Sequence, residues 1–309
     1  MTAEERVAAV ADALASLGVG ALVMGGHAAR FYGVDRNTID YDFCLALDAD
    51  TWARLADVLA RSAVIAGPAF REEHSWRPRS FRRFVIGHLT TGQEERLELW
   101  RRNHLLAPFD ELHARRAEGV YGGRLLTFLG LDDLIRSKET EREDDWRDVA
   151  LLEEIADDRR FAAAASAHDR VVALARLRSR RGFERAWSAG WFDDRAVLAG
   201  AFSGARNAMA RAYVLPSAMR AGVAPLDPSP ALRVDDQLRG VHGEIGQTVD
   251  AVRSGGEDDF SVGLCAALRN AVPASARHLA LVEAARRLYR RACMAADRAD
   301  KERELKNPG

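Results

Sequence analysis

Apolar positions recur along this chain with two different periods, and the change from one to the other divides it. Val7, Val10, Leu14 and Leu17 keep helical spacing within Glu4 to Leu17, and Gly18 ends the run. Ala21 to Met24 is a short apolar run of buried-strand length. It is closed by Gly25-Gly26, after which His27 to Tyr32 reads as a short helix ended by Gly33. Asp40 to Leu47 (DYDFCLAL) reads as a second strand and Thr51 to Arg61 as a second helix. Phe81 to Leu89 and Glu95 to Trp100 flank TTGQ, the pattern of a β-hairpin. Leu125 to Leu129 reads as a further strand, and Leu131 to Asp157 as helix with a break near Glu143. Strands set among helices predict an α/β (α+β) domain, a mixed β-sheet flanked by helices, over residues 1–158.

Beyond about residue 160 the strand signals stop. Ala and Arg dominate, and helical runs fall near 161–181, 195–213, 231–253, 258–271 and 276–304, with Pro225, Pro228 and Pro230 marking a loop. Residues 159–309 are therefore expected to form an all-helical domain, suited to binding an acceptor or a partner.

Composition adds three constraints. With 48% hydrophobic and 29% charged residues among 309, the chain can build globular cores and is not a disordered polymer. The net charge of -1 excludes wholesale electrostatic capture by a polyanion or a membrane, yet the charge is split. Residues 1–160 hold 22 Lys and Arg against 29 Asp and Glu, and residues 161–309 hold 23 against 17, so the halves carry net -7 and +6. Cys44, Cys265 and Cys293 are far apart and odd in number, which points away from a disulfide framework or a zinc site. No apolar run approaches the ~20 residues of a membrane span, and the N-terminal stretch lacks the pattern of a secretion signal, so a cytoplasmic protein is expected. Of the basic residues 42 are Arg and three are Lys: Lys138, Lys301 and Lys306.

The candidate chemistry lies between Ala21 and Leu47. Glycines after a strand let the backbone approach a ligand closely, and a helix N-terminus offers free N–H groups to a phosphate, although Gly-Gly also makes an ordinary turn. Asp40 and Asp42 are i and i+2 on a strand, so their carboxylates share one face and can converge on a divalent cation. Tyr41, Phe43, Leu45 and Leu47 supply the opposite, core-facing set. On the hairpin, Glu98 stands on the face opposite Leu97 and Leu99, a third acid within a strand. His27 reads as a core or helix-capping histidine, with no proton assigned to it. The basic runs Arg176 to Arg185 and Arg286 to Arg291 are candidate contacts for an RNA backbone, and equally are solvated helix faces.

Taken together, the strand, Gly25-Gly26, the helix, Arg36-x-Thr38-x-Asp40-x-Asp42 and the later strand acid resemble the nucleotidyltransferase superfamily of the DNA polymerase β fold. Thirteen residues lie between Gly26 and Asp40, within that superfamily's spacing. Downstream, Leu131-x-x-Leu134-Ile135-x-x-Lys138-x-x-x-Arg142-x-x-Asp145-x-x-Asp148 is similar to the helix after the catalytic sheet in the AbiEii-type toxin nucleotidyltransferases. The likeness covers about residues 20–155. Two departures stand out: the third acid is usually Asp, and many relatives carry Gly-Ser where this chain has Gly-Gly-His.

The resemblance implies a metal-dependent transferase that moves an NMP from an NTP such as ATP to a hydroxyl. Asp40, Asp42 and Glu98 would hold two Mg²⁺ ions, with Mn²⁺ as a substitute. Gly25 and Gly26 would cradle the β- and γ-phosphates, Arg36 and Thr38 would position phosphates or their own loop, and Lys138 would place a point charge on the triphosphate. Lys138, Arg142 and Asp145 would share one helix face, an Arg142–Asp145 surface pair being the plainer reading. The favoured acceptor is RNA or tRNA, as for a toxin of a toxin–antitoxin or phage-defence system with a cognate antitoxin; a protein hydroxyl is also open. A small-molecule (antibiotic) nucleotidyltransferase and a catalytically silent antitoxin or scaffold are the alternatives.

Overall fold

The structure is a computed structural model that describes residues 2–75, 78–204, 214, 217–218, 221–222, 290, 293–295, 297–303 and 305–306. The helical runs expected at 231–253 and 258–271, residues 205–213 of the run at 195–213, most of the run at 276–304, the three-proline loop and Cys265 lie outside them. The chain divides into two compact units, 1–138 with 301–309 and 139–300.

In the first unit the elements run α1 (Ala3–Ser16), β1 (Gly20–Val23), α2 (Gly25–Tyr32), β2 (Asp40–Ala46), α3 (Ala49–Ala53), α4 (Leu55–Leu59), β3 (Arg71–Glu73), β4 (Phe81–His88), β5 (Glu94–Trp100), α5 (Phe109–Ala114), β6 (Ala117–Tyr121), β7 (Arg124–Phe128) and α6 (Leu131–Ser137). Thr2 starts α1 with a capping box: its side chain accepts from the Glu5 N–H at 3.1 Å, and Glu5 accepts from the Thr2 N–H at 2.7 Å. Of the stripe read from the sequence, Val7, Val10 and Leu14 are fully buried, while Leu17 is the half-buried C-cap of α1. The helix expected over 51–61 is two short pieces, α3 and α4, meeting at Arg54.

The seven strands form one mixed sheet in the order β3-β4-β5-β2-β1-β7-β6. β2 pairs antiparallel with β1 and parallel with β5, and β4 pairs antiparallel with β5 through the expected hairpin, whose turn contains Gly92 at φ 83. Leu22, Phe43, Leu45, Phe84, Leu97, Leu99 and Phe128 are buried to within 1% and form its core. Phe43, Leu97 and Leu99 alternate with the charged Asp42, Arg96 and Glu98, whereas Leu22 and Leu45 lie between apolar neighbours. The sequence reading omits β3, β6 and α5. β6 and β7 are joined by Gly122-Gly123, both at positive φ, a two-glycine hairpin turn of the kind that matches strand twist.

The described part of the second unit is helical: α7 (Glu143–Ala163), α8 (Ala167–Leu174), α9 (Arg180–Ser188) and α10 (Arg195–Gly204). The compositional boundary near residue 158 falls inside α7. The run expected over 161–181 is interrupted twice, because serines start new helices: Ser166 caps α8 and Ser179 caps α9. α7 turns acids inward. Asp157, fully buried, accepts from the Ser179 N–H at 2.8 Å, the Ser179 hydroxyl at 2.6 Å and the Arg178 N–H at 3.2 Å. The basic run 176–185 is spent within this unit: Arg178 meets Glu139 and Glu153, Arg181 meets Glu154 and Asp158, and Arg185 meets Asp158. Its charge is therefore balanced by neighbouring acids.

Candidate active site

The register of β2, β5, β4 and β3 sets the site, because directly paired residues share a sheet face. Asp42 pairs with Glu98, Glu98 with Arg83, and Arg83 with Glu73, so four charged side chains form one row across four strands. The next row places Asp40 opposite Arg96. Tyr41, Phe43, Leu97 and Leu99 face the other way, into the core.

Asp42 is the centre of the row. Its carboxyl is pushed well above the usual carboxylate range, first by burial, then by the negative charge of Glu98, a hydrogen bond with Glu98 and the charge of Asp40; Lys138 opposes these. Lys138 is only 5% exposed. It ends α6 as its C-cap, its N–H donating to the Ile135 carbonyl at 3.1 Å, and its charge reaches Asp42. Lys138 is therefore a buried side chain and not part of a solvated helix face.

Gly25 and Gly26 open α2 against β2. Gly25 has φ +61, and a Cβ there would overlap the Asp42 carboxylate; a Cβ on Gly26 would overlap the Thr38 side chain. The Met24 N–H donates to the Asp42 carbonyl at 2.9 Å, fastening the end of β1 to the acid-bearing strand. The close approach that demands glycine here is thus to the chain's own Asp42 and Thr38. Arg36 is partly buried and close enough to bear electrostatically on His27.

His27 is fully buried in α2, stacked on Tyr41 with ring centroids 5.5 Å apart, its Nδ1 2.9 Å from the Tyr121 hydroxyl. Burial, with help from the Arg30 guanidinium, lowers its pKa to about 4, so the ring is neutral at neutral pH. This agrees with the core reading.

The shared helix face of Lys138, Arg142 and Asp145 does not form. α6 stops at Ser137, residues 139–142 are not helical, and α7 begins at Glu143 with Arg142 as its N-cap. Asp145 accepts from the Thr140 hydroxyl at 2.7 Å and lies 3.8 Å from Arg142, closing the first turn of α7. Lys138 belongs to the first unit, Arg142 and Asp145 to the second.

Hard carboxylate oxygens suit a divalent cation, and the charge crowding at Asp42 is what such an ion relieves. Asp40 and Asp42 fit that role. Glu98 fits it less directly, since Arg83 Nε and Nη2 both close on its Oε1 at 2.8 and 2.6 Å. Among the described residues no group of three His, Cys, Asp or Glu stands arranged to hold an ion. Sequence reasoning missed Arg83, Glu73 and Arg96, which acquire meaning only through cross-strand register.

No family model matches the chain, and no curated protein is significantly similar to it. Among solved structures it is similar to an antigenic nucleotidyltransferase-like protein from Paracoccidioides brasiliensis, at 20% identity and a TM-score of 0.35, over 49% of this chain and 76% of that one. Among the described residues no helix is long and apolar enough to cross a membrane.

Proposed function

We propose that the chain is a metal-dependent nucleotidyltransferase that transfers an NMP from an NTP to an acceptor hydroxyl. The observation that carries this is the meeting of Asp42 and Glu98 in one row, beside Asp40, with the buried Lys138 in electrostatic reach. In the transfer, the acceptor oxygen bonds to the α-phosphorus, the bond from that phosphorus to the bridging oxygen breaks, and pyrophosphate leaves. A hard divalent ion such as Mg²⁺, held by Asp40 and Asp42 with Glu98 as third ligand, supplies charge neutralisation and lowers the pKa of the attacking hydroxyl when bound. Glu98 is alternatively the base that takes the hydroxyl proton. Lys138 offsets triphosphate charge, and the N–H groups at the start of α2, at Gly25 and Gly26, hold phosphate oxygens. Arg36 and Thr38 order the loop into β2.

RNA, including tRNA, is the proposed acceptor, as for a toxin-type enzyme. The net +6 of residues 161–309 supports this; the likeness to the toxin branch is one of sequence spacing alone, since its helix face does not form, and the paired arginines of 176–185 do not add to it. The test is incubation with each labelled NTP, Mg²⁺ or Mn²⁺, total RNA and protein lysate. RNA should carry the label, and Asp42→Asn should carry none. Label confined to protein or a small molecule overturns the acceptor; no labelled product with any NTP overturns nucleotidyl transfer.

A further inference from the structure

Arg83 stands between two carboxylates. On the side of Asp42 both its Nε and Nη2 contact Glu98 Oε1, at 2.8 and 2.6 Å. On the side of β3 its Nε lies 4.0 Å from Glu73 Oε2, an oxygen that Arg96 also approaches, at 3.2 Å. Register fixes all three: Glu73 pairs with Arg83, and Arg83 with Glu98. The Arg83 side chain is 36% exposed and its guanidinium lies over the Phe81 ring, 5.5 Å from the centroid, so it rests on an aromatic surface with room to turn. A guanidinium and a divalent ion compete for the same carboxylate oxygen, since both need its lone pairs.

We infer that Arg83 is an exchangeable latch on the candidate metal site. In the arrangement seen it neutralises Glu98; a divalent cation takes Glu98 over as Arg83 turns to Glu73, which receives the displaced charge. Arg83 is thus a positioning residue, and Glu73 acts on the site only through it. The inference rests on the metal-site reading proposed above.

The test is Mn²⁺ affinity of the full-length protein by electron paramagnetic resonance, with unfolding curves confirming each variant's fold. Arg83→Met, with Arg83→Gln as its second form, should bind Mn²⁺ about tenfold tighter than wild type, equivalent to about 1.4 kcal/mol. Glu73→Gln should bind it severalfold more weakly. The double variant Arg83→Met/Glu73→Gln should match Arg83→Met alone, because Glu73 has nothing left to receive. Weaker or unchanged affinity in both Arg83 variants overturns the latch. So do additive effects in the double variant, which mark a general field of surface charge. Failure of the underlying reading looks different: Asp42→Asn would then bind Mn²⁺ as wild type does.

Discussion

The half-buried Asp42 and the fully buried His27 are titratable side chains with opposite consequences. Ionised Asp42 costs the folded state more than the unfolded one, so its contribution to metal-free stability is present at low pH. That contribution is lost as pH rises from the usual carboxylate range through the raised folded value. Asp42→Asn should therefore raise the melting temperature of the metal-free protein at neutral pH while abolishing nucleotide labelling; a lower melting temperature would mean the carboxylate is already compensated. His27 titrates from 6.5 unfolded to about 4 folded, which favours the neutral ring in the native state. Its stabilising contribution is complete above pH 6.5 and is lost as pH falls toward 4, amounting to about 3 kcal/mol. Urea unfolding of wild type and His27→Gln between pH 7.5 and 4 should show the steeper acid loss in wild type. Lys138, the only lysine in the first 300 residues, is buried within reach of Asp42. Lys138→Ala should lower kcat/KM by about 10²–10³, and Lys138→Arg should not restore it, because a planar fork does not replace a compact ammonium. Full activity in the arginine variant would leave only charge as the requirement.

Among the elements, the junction of β1, α2 and β2 leaves no room for a side chain at Gly25 or Gly26. Gly25 combines a positive φ with contact to Asp42, so Gly25→Ala adds left-handed strain of about 1–2 kcal/mol to the cost of overpacking, about 1–3 kcal/mol. Unfolding curves should show a loss of a few kcal/mol, and labelling should fall with it as Asp42 is pushed from the row. Gly33→Ala is the useful comparison, since Gly33 has φ +109 and open space, and should cost strain without displacing the acid. Much of this level was legible in advance. Alternating apolar positions gave away β2, β4, β5 and the hairpin between the last two. β6 was missed because Gly119, Glu118 and an exposed Val120 make it poor in apolar signal, although Gly122-Gly123 marked its turn. The break expected near Glu143 in the helical run from 131 to 157 is there: local capping at Lys138 and at Arg142 to Asp145 ends one helix and starts another.

For the whole molecule, the proposed activity makes stability depend on its ligands. An NTP that binds only with a divalent ion, and only to the folded state, should raise the apparent stability by about 2.7 kcal/mol at 100 times its Kd. A thermal-shift series with each NTP, with and without Mg²⁺, should show the rise only for the pair together and not in Asp42→Asn; a shift that survives without the ion would assign the binding to another part of the chain. The residue types of the site and their order, Gly25-Gly26, Asp40-x-Asp42, Glu98 and Lys138, were determined by the sequence alone, because i and i+2 on a strand share a face whatever surrounds them. So was the mixed sheet followed by helices, which follows from periodicity. Only the tertiary structure decided that Glu98 lies opposite Asp42, that Arg83 and Glu73 extend that row, and that Lys138 is buried beside it while Arg142 and Asp145 close the first turn of α7. Register between strands distant in sequence is set by how their apolar faces pack into one core, and no local pattern along the chain records it.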